Sequence, residues 1–147
     1  MRAIVFGLAL LAAACTPEEE AVAPSVNAAV AAPTPDDVVV HVTAEQAGQT
    51  VEVGVNQRFA IELVGVPTAG YTWQPAQIPA FVQRAGEAQG NTVAEQSQPG
   101  YAGGNHWEVT MFVATAPGTG EIVMEQKRPW ESDEPPVDTF RVTVTAR

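Results

Sequence analysis

From Asp37 onward, apolar residues recur at every second position in short runs and never settle into a helical period. Phe59, Ile61 and Leu63 alternate with Arg58, Ala60 and Glu62. Trp107, Val109, Met111 and Val113 alternate with Glu108, Thr110, Phe112 and Ala114. Phe140, Val142 and Val144 alternate with Arg141, Thr143 and Thr145. A period of two turns one face of each strand inward, so the first-named set of each run is expected in the core. Val38–Val42, the trio Val51, Val53 and Val55, and the pair Ile122 and Met124 add further strands, and residues 72–75 and 91–95 read as shorter ones. Twelve glycines and twelve prolines punctuate these segments. About seven short strands with short connections predict an all-β, antiparallel two-sheet β-sandwich. Trp73, on a short strand, is expected to fill its centre.

The folded domain is expected over residues 37–147, which is enough chain for one domain with a real core. A formal net charge of −10 opposes nucleic-acid binding, which needs a Lys/Arg footprint. Cys15 is the one cysteine, so no intramolecular disulfide and no cysteine-based metal site is possible. His41 and His106 stand alone in the sequence, and no metal or cofactor is expected. A Cys–His nucleophile pair is excluded from the folded domain for the same reason.

Residues 1–14 read as a signal peptide: Arg2, then an apolar run from Ala3 to Ala14 too short to span a bilayer as a helix. The segment Leu11-Ala12-Ala13-Ala14-Cys15 resembles a bacterial lipobox, with Ala12 at the position where leucine is usual. That resemblance implies lipidation of Cys15 and a membrane anchor in the cell envelope. Thr16 after the cysteine favours the outer membrane, with the domain facing the periplasm. The other reading is an ordinary secretory signal cleaved after an alanine, which leaves a free thiol. Residues 15–36, rich in Ala, Pro and Glu, read as the lipidated cysteine and a disordered tether.

Three loops carry the functional signal. Val66-Pro67-Thr68-Ala69-Gly70-Tyr71 pairs a fixed φ at Pro67 with a permissive Gly70, around small residues that leave the backbone open. Pro99-Gly100-Tyr101-Ala102-Gly103-Gly104 is a glycine-rich hairpin segment. Lys127-Arg128-Pro129-Trp130-Glu131 holds a guanidinium and an indole either side of a proline, and Arg and Trp are enriched at the energetic centres of interfaces. Each alone is no more than a turn, and Trp130 alone could cap the sandwich end. On alternate loops of one sandwich they make a binding edge.

In that order the three motifs resemble the chagasin-like inhibitors of papain-family cysteine peptidases. Pro67, Thr68, Gly70 and Tyr71 match the family's Asn-Pro-Thr-Thr-Gly-aromatic loop, with Val66 for the Asn and Ala69 for the second Thr. Ala102, Gly103 and Gly104 fit its Gly-x-Gly-Gly loop, with Tyr101 at the first Gly. Arg128, Pro129 and Trp130 match its Arg-Pro-Trp loop fully. The resemblance implies an immunoglobulin-like sandwich whose loops form a wedge. Thr68 would lie closest to the catalytic cysteine of a papain-like peptidase, and Arg128 and Trp130 would contact the rim. Inhibition would be reversible occlusion by a monomer. Val66 lacks the side-chain hydrogen bonds of an Asn, so a less preorganised first loop is expected. Two other classes remain beside this one. A non-inhibitory immunoglobulin-like envelope lipoprotein would bind another protein or a glycan through the same edge. An enzyme would draw paired carboxylates from Asp133, Glu134 and Asp138.

Overall fold

The computed structural model describes residues 27–147. The expected signal peptide, Cys15 and the first part of the expected tether therefore lie outside the described residues. Eight strands follow in order: β1 Val38–Thr43, β2 Thr50–Val53, β3 Arg58–Gly65, β4 Thr72–Gln77, β5 Val82–Asn91, β6 His106–Ala114, β7 Gly118–Lys127 and β8 Asp138–Ala146. They form two four-stranded sheets, β1-β3-β6-β5 and β2-β8-β7-β4, packed as the expected β-sandwich. No helix among the described residues is long and apolar enough to cross a membrane.

Strand direction corrects one expectation. β1 pairs β3 in parallel, and β2 pairs β8 in parallel, so the sandwich is not wholly antiparallel. The cause is the connection between β1 and β2. A capped 3-10 turn at Ala44–Gln46 carries the chain from one sheet to the other instead of closing a hairpin within one. Successive strands still alternate in direction, but β1 and β3 become neighbours in the same sheet and so run the same way.

The inner faces hold Phe59, Ile61 and Leu63 of β3, Ile122 and Met124 of β7, and Phe140, Val142 and Val144 of β8, as their alternation requires. Phe59 and Phe112 stack at the centre with ring centroids 5.5 Å apart. Trp73 is 7% exposed and belongs to this core, and its indole N–H donates to Val64 O at 2.9 Å. β6 reverses the expected phase. Phe112 and Ala114 point into the sandwich, whereas Val109 and Met111 lie in a second apolar cluster with Val38 and Ala60. Both faces of β6 are largely buried and each carries apolar residues, so its phase is not written in the alternation.

Residues 27–36 correct the expected tether. From Ala28 to Thr34 the chain lies along the outer side of the first sheet as a strap, and Ala32 packs on the second cluster. Thr34 Oγ1 donates to the carboxylate of Glu62, which also meets His41 Nδ1. Asp37 then pairs with Arg58 at 2.6 Å as β1 begins. A last correction concerns residues 91–95. The strand there is β5, over Val82–Asn91, and a 3-10 turn at Ala94–Ser97 follows it.

Candidate functional site

Register alone brings the three loops to one end of the sandwich. Gly65, which leads into the first loop, pairs with His106, which follows the second. Thr72, which follows the first loop, pairs with Lys127, which leads into the third. The first loop thus joins the two sheets between its neighbours, with the second loop on one sheet and the third on the other.

The first loop is short and closed. Pro67–Ala69 form one 3-10 turn, and Val66 N–H donates to Tyr71 O at 3.2 Å across its neck. Thr68 and Ala69 stand exposed at its tip. Gly70 ends the turn at φ 84°, a left-handed conformation that side chains disfavour. Trp130 lies directly over it: a Cβ on Gly70 would stand 2.3 Å from Trp130 Cη2. The rest of the indole is open, and Trp130 is 67% exposed.

Arg128 locks the first loop to the third. Its Nε donates to Ala69 O at 3.0 Å, its guanidinium carbon sits 4.5 Å over the Tyr71 ring, and its Nη1 donates to Glu131 at 3.0 Å. The hydrogen bond that Arg128 donates to Glu131 pushes the guanidinium pKa further up, so Arg128 stays charged. The bracing that Val66 cannot supply therefore comes from backbone bonds within the loop and from Arg128 across it. Beside this lock, Tyr71, Lys127, Glu134 and Val137 line an open cleft of about 470 Å³.

The second loop is organised by a side chain that the sequence motifs passed over. Gln96 accepts from the N–H groups of Thr92 and Val93 at 2.7 and 3.1 Å and donates to Asn105 O at 2.7 Å. The consecutive positive φ of Gly103 and Gly104 bend the chain back toward Tyr101, whose hydroxyl would stand 3.0 Å from a Cβ on Gly104. Tyr101 and Ala102 are exposed.

This geometry has a counterpart among known proteins. The chagasin family of peptidase inhibitors, I42, matches residues 52–144. The chain belongs to that family. Chagasin-family membership makes it a peptidase inhibitor and not an enzyme, so the acidic cluster of Asp133, Glu134 and Asp138 is not a catalytic pair. Among the described residues no three His, Cys, Asp or Glu side chains gather as a metal site requires. The fold is similar to the cysteine protease inhibitor EhICP2 of Entamoeba histolytica, with a TM-score of 0.63 and 20% identity over 78% of this chain and all of that one. It is also similar to amebosin, with a TM-score of 0.58 and 24% identity over 74% of this chain and 97% of that one. No curated protein sequence matches the chain.

Beneath the first loop lies a residue that the alternation placed on the wrong face. Glu108 of β6 points into the sandwich and is 7% exposed. Its Oε2 accepts from Trp73 N–H at 2.8 Å, which ties the first sheet to β4 of the second. Among the described residues its Oε1 has no hydrogen-bond partner, and it presses on Gly65, where a Cβ would collide with it. Both flanks of the first loop thus rest on one carboxyl group. Burial pushes its pKa up, against the smaller opposing effects of the Trp73 N–H and His106.

A carboxyl whose folded pKa exceeds its unfolded value of about 4.3 binds its proton more tightly when folded. Its contribution to stability is full below that unfolded value and is lost as pH rises through the folded pKa. Glu108→Gln removes this dependence. Relative to wild type, the variant is expected to melt higher at pH 8 than at pH 4, and paired melting curves across that range check it. An offset that does not change with pH would mean that Glu108 does not titrate in this range.

Proposed function

We propose that this chain is a reversible, non-covalent inhibitor of papain-like cysteine peptidases that occludes the active-site cleft with its three loops. The observation that carries the reading is the lock made by Arg128, which holds the exposed tip at Thr68 and Ala69 in fixed relation to the exposed indole of Trp130. A rigid wedge loses little conformational freedom on binding, which favours affinity. Thr68 at the tip would approach the catalytic cysteine, and inhibition would proceed with no bond cleaved. Tyr101, Ala102, Gly103 and Gly104 would grip one side of the cleft, and Pro129 and Trp130 the other. The inhibitor would act as a monomer, held in the bacterial cell envelope by lipid on Cys15, at the outer membrane and facing the periplasm. The mass of the mature N-terminus checks that anchor.

Titration of papain and of a cathepsin L-type enzyme with the chain tests the function. Tight, reversible loss of activity is expected, with the inhibitor recovered uncleaved. A folded chain that inhibits neither enzyme at micromolar concentration would overturn the proposal. In the same assay Trp130→Ala is expected to weaken inhibition by about 2 kcal/mol or more, roughly thirtyfold, because a large exposed aromatic at an interface centre is the commonest anchor. An unchanged inhibition constant would remove Trp130 from the mechanism.

A further inference from the structure

The strap of residues 28–34 lies outside the family match, which begins at residue 52, yet its hydrogen bonds converge on the second loop. Val30 N–H donates to Thr92 O at 2.8 Å, and Ala94 N–H donates to Ala28 O at 3.0 Å. Ala29 bridges Val93 in antiparallel fashion. The indole N–H of Trp107, the second residue of the returning strand, donates to Val30 O at 2.7 Å. Pro33 sits on Gly90 so closely that a Cβ there would stand 2.9 Å from its Cγ. The strap therefore grips both stems of the second loop: Gly90 and Thr92 on the way out, Trp107 on the way back.

Those stems are the points from which the loop is set. Thr92 Oγ1 donates to Asn105 O at 3.0 Å, and Thr92 N–H meets the same Gln96 carbonyl oxygen that organises the turn. A shift of Thr92 is a shift of Gln96, and with it of Asn105 and Gly104. We infer that the strap is a clamp that fixes the conformation of the second loop and through it the grip on a peptidase, with Val30 and Trp107 as positioning residues. The second half of this inference rests on the inhibitory function proposed above, and the first half does not.

Two substitutions in the full-length chain separate the clamp from bulk stability. Trp107→Phe keeps an aromatic ring and loses the N–H that reaches Val30 O. Val30→Pro, at an exposed position, loses the N–H that reaches Thr92 O. In each, the amide of Ala94 is expected to exchange roughly fivefold to tenfold faster, the equivalent of one lost hydrogen bond, while core amides such as that of Phe112 keep their protection. Dissociation from papain is expected to quicken by a similar factor with association unchanged. Unaltered exchange at Ala94 in both variants would overturn the clamp. Faster exchange with unaltered dissociation would show that the second loop's setting does not govern the grip, which overturns the second half. Should the wild-type chain not inhibit papain, the exchange arm alone decides the clamp.

Discussion

Gly70→Ala is expected to weaken peptidase inhibition by about 3–4 kcal/mol, a loss of several hundredfold. Two effects contribute. A side chain at left-handed φ costs about 1–2 kcal/mol, which the free loop would relieve by relaxing out of the wedge shape and which binding would have to restore. The new Cβ would also displace the indole of Trp130 from the place it occupies above Gly70, forfeiting an anchor of about 2 kcal/mol. The indole's far edge is free to swing into solvent and the loop can relax, so the domain itself should lose at most a part of the backbone cost. The diagnostic result is a large rise in the inhibition constant with a small fall in melting temperature. A variant that inhibits like the wild type would mean that neither the turn nor the indole is presented to the enzyme as the structure holds them.

Phe112→Ala should have the largest effect on stability, about 3–5 kcal/mol. Phe112 is fully buried and stacks on Phe59 between the sheets, and strands on both sides prevent collapse into the space it would leave. Chemical denaturation of the two proteins, with the slope checked for constancy, gives the difference directly. A loss near 1 kcal/mol would mean that the centre repacks, which a close-packed sandwich does not readily do.

β8 is legible because it has one buried and one wet or half-wet face, so apolar and polar residues take turns. β3 is legible although Ala60 and Glu62 on its outer face are buried too, because they are small or charged between the large apolar Phe59, Ile61 and Leu63. β6 is not, because the strap and the second cluster cover its outer side. Val109 and Met111 there are as apolar as Phe112 and Ala114 within. That reversed phase also hid Glu108, which reads as an outward acid and is in truth an inward one. β5 escaped notice for the opposite reason: its Gln, Arg, Gly and Ala residues make a mostly exposed edge with no apolar rhythm. The strap, built mostly of Ala, Val and Pro, has a linker's composition and is held by backbone groups, the Thr34 hydroxyl, one indole N–H and the packing of Ala32 and Pro33, none of which composition reveals. The loop motifs were readable because proline and glycine fix local geometry. The inward turn of Arg128 onto Ala69 and Tyr71 was not, since it depends on a register between β4 and β7 that only the folded sheet supplies.

Were the chain tethered through Cys15 as proposed, the strap would bear on which way the wedge faces. Ala29 sits beside Val93, so the polypeptide joins the domain at the same end as the three loops. If Cys15 carries lipid, the twelve residues between it and the strap can span at most about 40 Å. A peptidase domain of about 200 residues has a radius of gyration near 16 Å and so a diameter of roughly 40 Å. Bilayer, enzyme and inhibitor would then form a stack with the enzyme in the middle and almost no slack. An enzyme lying on the membrane would meet the wedge already aimed at it, whereas one diffusing freely would have to slip beneath a tethered cap. Geometry of attachment would thus select among targets that the loops alone would bind equally well.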